Sequence, residues 1–297
     1  MDNKKLAYLY LTLTVCAWGS LYVVSKFVLG KVPSFSILFF RYLIAGISLL
    51  LMLSRKKVEK IEKRDYKYLL FIGVVGYFLG IGSQLIGIKL ANASIASLVN
   101  SMNPVSIIIF AILILHEKLT VKKVISVLAA VCGAYIIIGG VRGNAAIWGI
   151  VFSLFSVISW SLMSVIVRKI STKYNPVTIT TYGILIAMVC TLPACIYELR
   201  TTQNVDLFNW QVIISLLYMG VVCTALANVF WNKSLSLIEA SSCSLFYPLQ
   251  PMVSVFLGWL FLNESISSSF VFGAFLIIFG VMLSVIKNGF RTQKVKS

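Results

Sequence analysis

The sequence predicts an all-α polytopic membrane protein, with ten transmembrane helices built as two inverted five-helix repeats. Three observations lead there. Of the 297 residues, 59% are hydrophobic and only 12% are charged, outside the range of soluble globular domains. Apolar runs close to the ~20 residues needed to cross a bilayer recur along the whole length. And the stretch Ala93 to Thr120 returns as Ala240 to Ser267. In that alignment Ala93 meets Ala240, Ser94 meets Ser241, Ser97 meets Ser244, Leu98 meets Leu245, Pro104 meets Pro251, Leu115 meets Leu262 and Glu117 meets Glu264. The same offset brings Gly73-Val74-Val75 onto Gly220-Val221-Val222 upstream and Gly133 onto Gly280 downstream. Self-similarity at a fixed offset marks a duplicated unit.

The spans in chain order are 6–29, 33–53, 67–88, 93–115, 121–140, 146–167, 177–197, 210–232, 240–262 and 268–287. They are read as helices because only helices and closed barrels satisfy their backbone polar groups in lipid. A barrel would show short alternating segments, not continuous runs such as Ile107 to Leu115. The first run lacks a small-residue cleavage site and leads into Ser25-Lys26, so it is expected to be a retained span. Residues 1–140 form the first repeat, 146–288 the second, and 289–297 a basic cytoplasmic tail.

Charge sets the orientation. The net charge of +17 would suggest nucleic acid in a soluble protein, but here the basic residues lie in short loops between apolar runs. Loop 54–66 carries Arg55, Lys56, Lys57, Lys60, Lys63 and Arg64. Lys118, Lys122 and Lys123 follow span four, and Arg168, Lys169 and Lys173 follow span six. The alternate loops hold little more than Lys31, Lys89, Arg142 and Arg200. Positive residues collect on the cytoplasmic side, which places both termini in the cytoplasm of a cell-membrane protein. Tyr8, Tyr66, Trp148 and Trp210 fall at span ends, where an interfacial aromatic belt belongs. Five spans per copy is an odd number, so the second copy starts from the opposite side of the membrane. Parallel sequence copies with opposite orientation are the inverted repeat of secondary transporters, whose substrate site lies near the midplane between the halves.

The chemistry of enzymes is missing. No HExxH, acidic metal cluster, phosphate-binding loop or serine–histidine arrangement is present, and no cofactor or metal is expected. The six cysteines stand singly in apolar runs, as small buried hydrophobes do. Glu59, Glu62, Asp65, Glu117, Glu198, Asp206, Glu239 and Glu264 all fall in loops or at span ends, which disfavours a small four-helix drug pump with a membrane carboxylate.

Several motifs taken together resemble a known family. They are Trp18-Gly19-Ser20 to Lys26 in span one, Arg41-Tyr42 in span two, Ala93-Ser94-Ile95-Ala96-Ser97 with Asn103-Pro104 in span four, Glu117 with Leu119-Thr120, and Glu264 with Ile266-Ser267. In this order and spacing the chain resembles the EamA-type branch of the drug/metabolite transporter superfamily. The resemblance implies a ten-helix inverted-repeat fold and solute transport, often export of amino acids or related metabolites.

The candidate substrate-binding residues are Trp18, Arg41, Gln84, Asn100, Asn103, Trp160, Asn228, Trp231, Tyr247 and Gln250. Arg41 lies about 12 Å below the outer boundary if span two begins at Pro33, near the midplane of a core roughly 30 Å thick. A cation there needs a cavity or a partner. It serves either a substrate carboxylate or helix-end carbonyls of its own half. Trp18 and Trp160 pair spans one and six, each eight positions before a basic residue, Lys26 or Arg168. Those two bases are expected to snorkel and to complement helix C-termini. Glu117 and Glu264, just before the caps Thr120 and Ser267, are expected to place charge at a helix N-terminus. Polar stripes run along Thr14, Trp18, Tyr22 and Ser25, along Ser153, Ser156, Trp160 and Ser164, and along Thr224, Asn228, Trp231 and Asn232. Gln84 lies on a glycine-lined face of span three. Asn100, Asn103, Tyr247 and Gln250 flank Pro104 and Pro251, where a proline can leave a carbonyl free. Such residues either line a cavity or hold helices together in lipid.

The function expected is secondary transport, outward, of a small metabolite such as an amino acid, either coupled to protons or a counter-substrate or uncoupled, with lipid as the surroundings. The alternatives are a carrier of nucleotide-sugars or other anionic metabolites, which would call for more interior cations, and a non-transporting membrane protein.

Overall fold

A computed structural model of the chain describes residues 3–25, 27–28, 30–55, 59–91, 99–100, 102–138, 147–203, 205–262 and 268–285. Among these, every regular element is helical. In the first part, α1 (Asn3–Ser25) and α2 (Ser34–Ser54) are followed by a rod of α3 (Tyr66–Phe71), a π-helical stretch (Ile72–Gly80) and α4 (Ile81–Ala91). Then come α5 (Asn103–Leu115) and α6 (Val121–Ile138). The second part repeats the order: α7 (Ile147–Ile170), α8 (Pro176–Thr201), and a rod of α9 (Trp210–Tyr218), a π-helical stretch (Met219–Leu226) and α10 (Ala227–Leu237). It ends with α11 (Ala240–Ser244), α12 (Leu249–Leu262) and α13 (Ser268–Val285). The two π-helical stretches begin at Ile72 and Met219, separated by the same offset as Ala93 and Ala240.

Six of these helices are long and apolar enough to cross a membrane: Asn3–Ser25, Ser34–Ser54, Lys63–Gly87, Ile147–Ile170, Pro176–Thr201 and Trp210–Leu237. The fourth, fifth and tenth spans are described only in part, as α5, α6 and α13. The ninth, described throughout, departs from the single helix expected. Read as one helix over 240–262, it is split into α11 and α12 by a turn at 245–248. Pro248 has no N–H to continue the helical ladder, and the turn is held by tighter bonds from Phe246 N to Cys243 O (3.2 Å) and from Tyr247 N to Ser244 O (3.1 Å).

Helix pairing repeats between the parts. α2 packs on α8, and α6 on α13. The contact of α1 with α10 is matched by that of α7 with α4, and α1 on α12 by α7 on α5. α2 lies against the second π-helical stretch as α8 lies against the first. Close approach depends on missing side chains: a Cβ on Gly133 of α6 would stand 2.5 Å from the Gly273 carbonyl of α13. One buried core joins Leu11 and Trp18 of α1, Tyr42 of α2, Tyr77, Trp160 and Met163 of α7, Ile184 of α8 and Trp231 of α10. Outside it, side chains such as Leu51, Val189, Phe272, Phe275 and Met282 are exposed, a surface suited to lipid and not to water.

Three carboxylates tie the parts together at helix starts. Glu59 accepts the Asn175 amide (2.7 Å) and the Thr178 hydroxyl (3.2 Å) at the head of α8. Glu198 accepts the amide (2.8 Å) and hydroxyl (3.1 Å) of Ser36 at the head of α2. Glu117 accepts the amides of Ala240 (2.8 Å) and Ser241 (3.2 Å) and the Ser241 hydroxyl, at the head of α11. Each supplies negative charge to free N–H groups at the positive end of a helix dipole. For Glu117 this corrects the expectation that it serves the helix it precedes. That helix has its own cap, since Thr120 Oγ1 accepts the Lys123 amide at 3.3 Å. Beside it, Lys123 Nζ reaches Glu239 (2.6 Å) and the Ser241 hydroxyl (2.6 Å). Glu264 and Ser267 lie outside the described residues.

Arg168 does not snorkel; its Nη1 donates to the Leu235 carbonyl in the last turn of α10 at 2.6 Å, so the dipole it complements is that of another helix. Lys26 lies outside the described residues. Of the aromatic belt, Tyr66, Trp148 and Trp210 are exposed, while Tyr8 stacks on Phe246.

Candidate functional site

The stripe on α10 and its π-helical lead-in is a buried polar surface in the interior. Thr224, Asn228, Trp231 and Asn232 recur at helical spacing and are all at least nine-tenths buried. Around Trp231 the elements bring four other rings. The Trp18 ring of α1 lies 5.6 Å from that of Trp231 and 5.8 Å from that of Tyr247, and Trp231 meets Tyr247 edge to face at 4.8 Å. Trp160 of α7 meets Trp18 edge to face at 5.6 Å and 78°, and Tyr77 closes the set on Trp160 at 6.0 Å. These separations fall within the range where aromatic pairs add stability beyond the area they bury. Tyr247 reaches the cluster because the turn at 245–248 breaks the ninth span at that residue.

The polar edges of these rings are partly satisfied. Trp160 Nε1 donates to the Tyr247 hydroxyl, and Trp18 Nε1 donates to the Cys223 carbonyl in the π-helical stretch at 3.1 Å. The Tyr42 hydroxyl donates to the Tyr77 carbonyl at 2.8 Å. Asn232 Nδ2 donates to Thr180 Oγ1 at 2.8 Å and to the Tyr77 hydroxyl at 3.3 Å. Asn228 Nδ2 donates to the Thr224 carbonyl at 2.7 Å. Among the described residues, Asn228 Oδ1, Asn232 Oδ1 and Trp231 Nε1 are buried with no partner. A buried polar group left unpaired costs about 1–3 kcal/mol, and native structures keep few of them without a reason.

Arg41 approaches this stripe from α2. Its Nε and Nη2 both donate to Thr224 Oγ1, at 3.2 and 3.1 Å, and Thr224 in turn donates to the Met219 carbonyl at 2.7 Å. Sequence left Arg41 either a substrate carboxylate or carbonyls of its own half. The protein partner is instead a hydroxyl of the second half, and Nη1 has no protein acceptor among the described residues.

Of the ten residues singled out from sequence, Trp18, Trp160, Trp231 and Tyr247 form the ring cluster, and Asn228 and Arg41 adjoin it through Thr224. Four do not join it. Asn103 Nδ2 donates to the Asn100 carbonyl at 2.9 Å and its Oδ1 accepts from Ser161 Oγ at 3.5 Å, which links α5 to α7. Gln84 and Gln250 are partly exposed, and the Gln250 carbonyl lies 3.0 Å from where a Cβ on Gly19 would stand. Sequence reasoning missed Tyr77, Thr180, Tyr42 and the role of Asn232. Tyr77 was within reach, since the repeat offset that carries Ala93 to Ala240 carries Tyr77 to Thr224.

Comparison with known proteins agrees on the fold and the class. A crystal structure of another protein aligns over 95% of this chain and 96% of its own, with a TM-score of 0.82 at 18% identity, a likeness of fold. A protein of Archaeoglobus fulgidus named "Uncharacterized transporter" is 25% identical over 95% of this chain and 99% of its own length. The "Uncharacterized transporter YetK" of Bacillus subtilis is 26% identical over 95% of this chain and 87% of its own length. The model of the EamA-like transporter family matches twice, over residues 5–139 and 147–286. The chain, a multi-pass membrane protein with a duplicated plan, therefore belongs to the EamA-like transporter family of the drug/metabolite transporter superfamily, a family of transporters and not of enzymes.

Proposed function

We propose that this protein is a secondary transporter that moves a small metabolite, such as an amino acid, outward across the cytoplasmic membrane, with both termini in the cytoplasm. The observation that carries the reading is the contact between Trp18 and Trp160. The two residues occupy matching places in α1 and α7. Matching residues related by a two-fold axis touch each other only when they lie on that axis. The five-ring cluster therefore sits where two oppositely inserted halves meet, the place a rocking carrier reserves for its solute. Arg41 is the interior cation beside it, and its free Nη1 suits the carboxylate of a zwitterion.

Closure follows from the same contacts. Glu59 and Glu117 join the halves on the face that carries the basic loops, and Glu198 joins them on the opposite face. Alternating access breaks one set while the other holds, and each bond sits at a helix end, where a rigid helix can pivot.

Purified protein in vesicles loaded with a labelled amino-acid mixture tests this. Protein-dependent efflux is expected, lost in a folded Arg41→Ala variant. Imposed pH gradients and external unlabelled amino acids then separate proton coupling from exchange. Efflux equal to that of protein-free vesicles for every amino acid overturns the reading, and undiminished efflux by Arg41→Ala removes Arg41 from it.

A further inference from the structure

The orientation of the two asparagine amides is fixed by their neighbours. Asn228 faces the Thr224 carbonyl, which can only accept, so the group facing it is Nδ2. Asn232 faces Thr180 Oγ1, whose hydrogen is committed to the Pro176 carbonyl at 2.7 Å. Thr180 can therefore only accept from Asn232, and again Nδ2 is the group that meets it. Reversing either amide would set oxygen against oxygen. Both Oδ1 atoms are thus committed acceptors, one helical turn apart on one face of α10, and neither has a donor among the described residues.

We infer that Asn228 and Asn232 form an amino-group subsite that receives the primary ammonium of the transported solute. This rests on the reading of the ring cluster as the transport site. An ammonium carries three N–H donors, enough for both amide oxygens at once. It is also drawn to the faces of Trp18, Trp231 and Tyr247, since indole and phenol rings attract cations that have left water. No carboxylate of the described residues is recorded in contact with these rings or amides, so the site suits a solute that brings its own negative charge. A carboxylate without an amine would place oxygens against the two amide oxygens. Trp231 Nε1, a buried donor without a partner among the described residues, is available to an acceptor of the same solute. A neutral hydroxyl has one hydrogen and satisfies one of the two amides.

Three probes that share a phenyl tail and differ in headgroup separate these chemistries: phenethylammonium, 2-phenylethanol and 3-phenylpropionate. Binding to the full-length protein in nanodiscs is read by tryptophan fluorescence, excited where phenyl rings do not absorb, with empty nanodiscs subtracted. The ammonium is expected to bind about tenfold or more tighter than the alcohol, the step that one charge-assisted hydrogen bond provides, while the carboxylate, which Arg41 can hold, should bind the wild type and Asn228→Leu alike. Asn228→Leu should erase that preference, and Asn228→Asp should enlarge it. Equal binding of the alcohol by the wild type overturns the subsite. So does a preference that survives in Asn228→Leu, and so does the absence of binding by all three probes. None of these outcomes touches the vesicle efflux, which fails only if the transport reading itself is wrong.

Discussion

The carboxylate of Glu117 holds the amide of Ala240 at 2.8 Å, so a residue in the turn after the fourth span caps the helix that opens the ninth. Ser241 adds its amide and hydroxyl to the same carboxylate. Loss of a helix cap costs roughly 1 kcal/mol. Glu117→Ala should lower stability by about that amount, and Glu117→Gln, which keeps one acceptor oxygen, by less. Thermal unfolding in detergent gives the order, and a reversed order would show that Glu117 is not the cap.

Thr224 and Arg41 make a second cross-half pair. Thr224→Val keeps shape but leaves Nε and Nη2 of Arg41 without their acceptor, a loss of about 1–3 kcal/mol. Adding Arg41→Met removes the stranded donors, so the double variant should be more stable than Thr224→Val alone. A double variant that is weaker by the sum of both changes would mean that the two side chains act independently.

Two glycines predict opposite tolerance. A Cβ on Gly133 would meet the Gly273 backbone carbonyl at 2.5 Å, while a Cβ on Gly46 would meet only the tip of the Leu185 side chain, its Cδ2, at 3.1 Å. A side-chain tip can give by a few tenths of an ångström and a helix backbone cannot. Gly133→Ala should therefore prise α6 from α13 and reduce the folded yield, and Gly46→Ala should lower stability less. Fluorescence-detected size exclusion of the two variants ranks them.

The loop before α3 predicts a pH dependence. Lys173 bonds Glu62 at 2.6 Å and Asp65 at 2.7 Å. The Lys173 ammonium, with Arg64 assisting, holds the Glu62 carboxyl below its ordinary 4.5, against an opposing push from burial. The carboxylates of Asp65 and Glu62 hold the Lys173 ammonium above its ordinary 10.5. The Glu62 contribution is present above the ordinary carboxyl value and is lost as pH falls through the lowered one. The Lys173 contribution is complete below its ordinary value and is lost as pH rises through the raised one. Lys173→Met should flatten the acid limb of melting temperature against pH; an unchanged limb would rule the pair out.

The plan of the protein was legible because bilayer thickness and backbone hydrogen bonding leave few ways to arrange long apolar runs. Trp18 and Trp160 could be matched from their spacing to Lys26 and Arg168, and the structure brings the two indoles together. The stripe of Thr224, Asn228, Trp231 and Asn232 was equally visible as a periodicity. The break at 245–248 was not, although Pro248 stood in the sequence, because prolines are tolerated inside helices buried among others; α8 runs through Pro193 unbroken. The two π-helical stretches, which pack on α8 and α2, were not legible either, since no local pattern marks them. Glu117 was assigned to its sequence neighbour Thr120 because the partner at Ala240 is set by tertiary structure alone.

If solute crosses only when the halves part at the Glu117–Ser241 contact, locking that contact stops transport. Glu117→Cys and Ser241→Cys, introduced together after the exposed native thiols of Cys16 and Cys132 are replaced, allow that contact to be locked by oxidation in the vesicle assay. Efflux should fall to the protein-free level when the pair is oxidised and return when it is reduced. Efflux that continues undiminished through the locked protein would show that the halves need not part there for solute to cross.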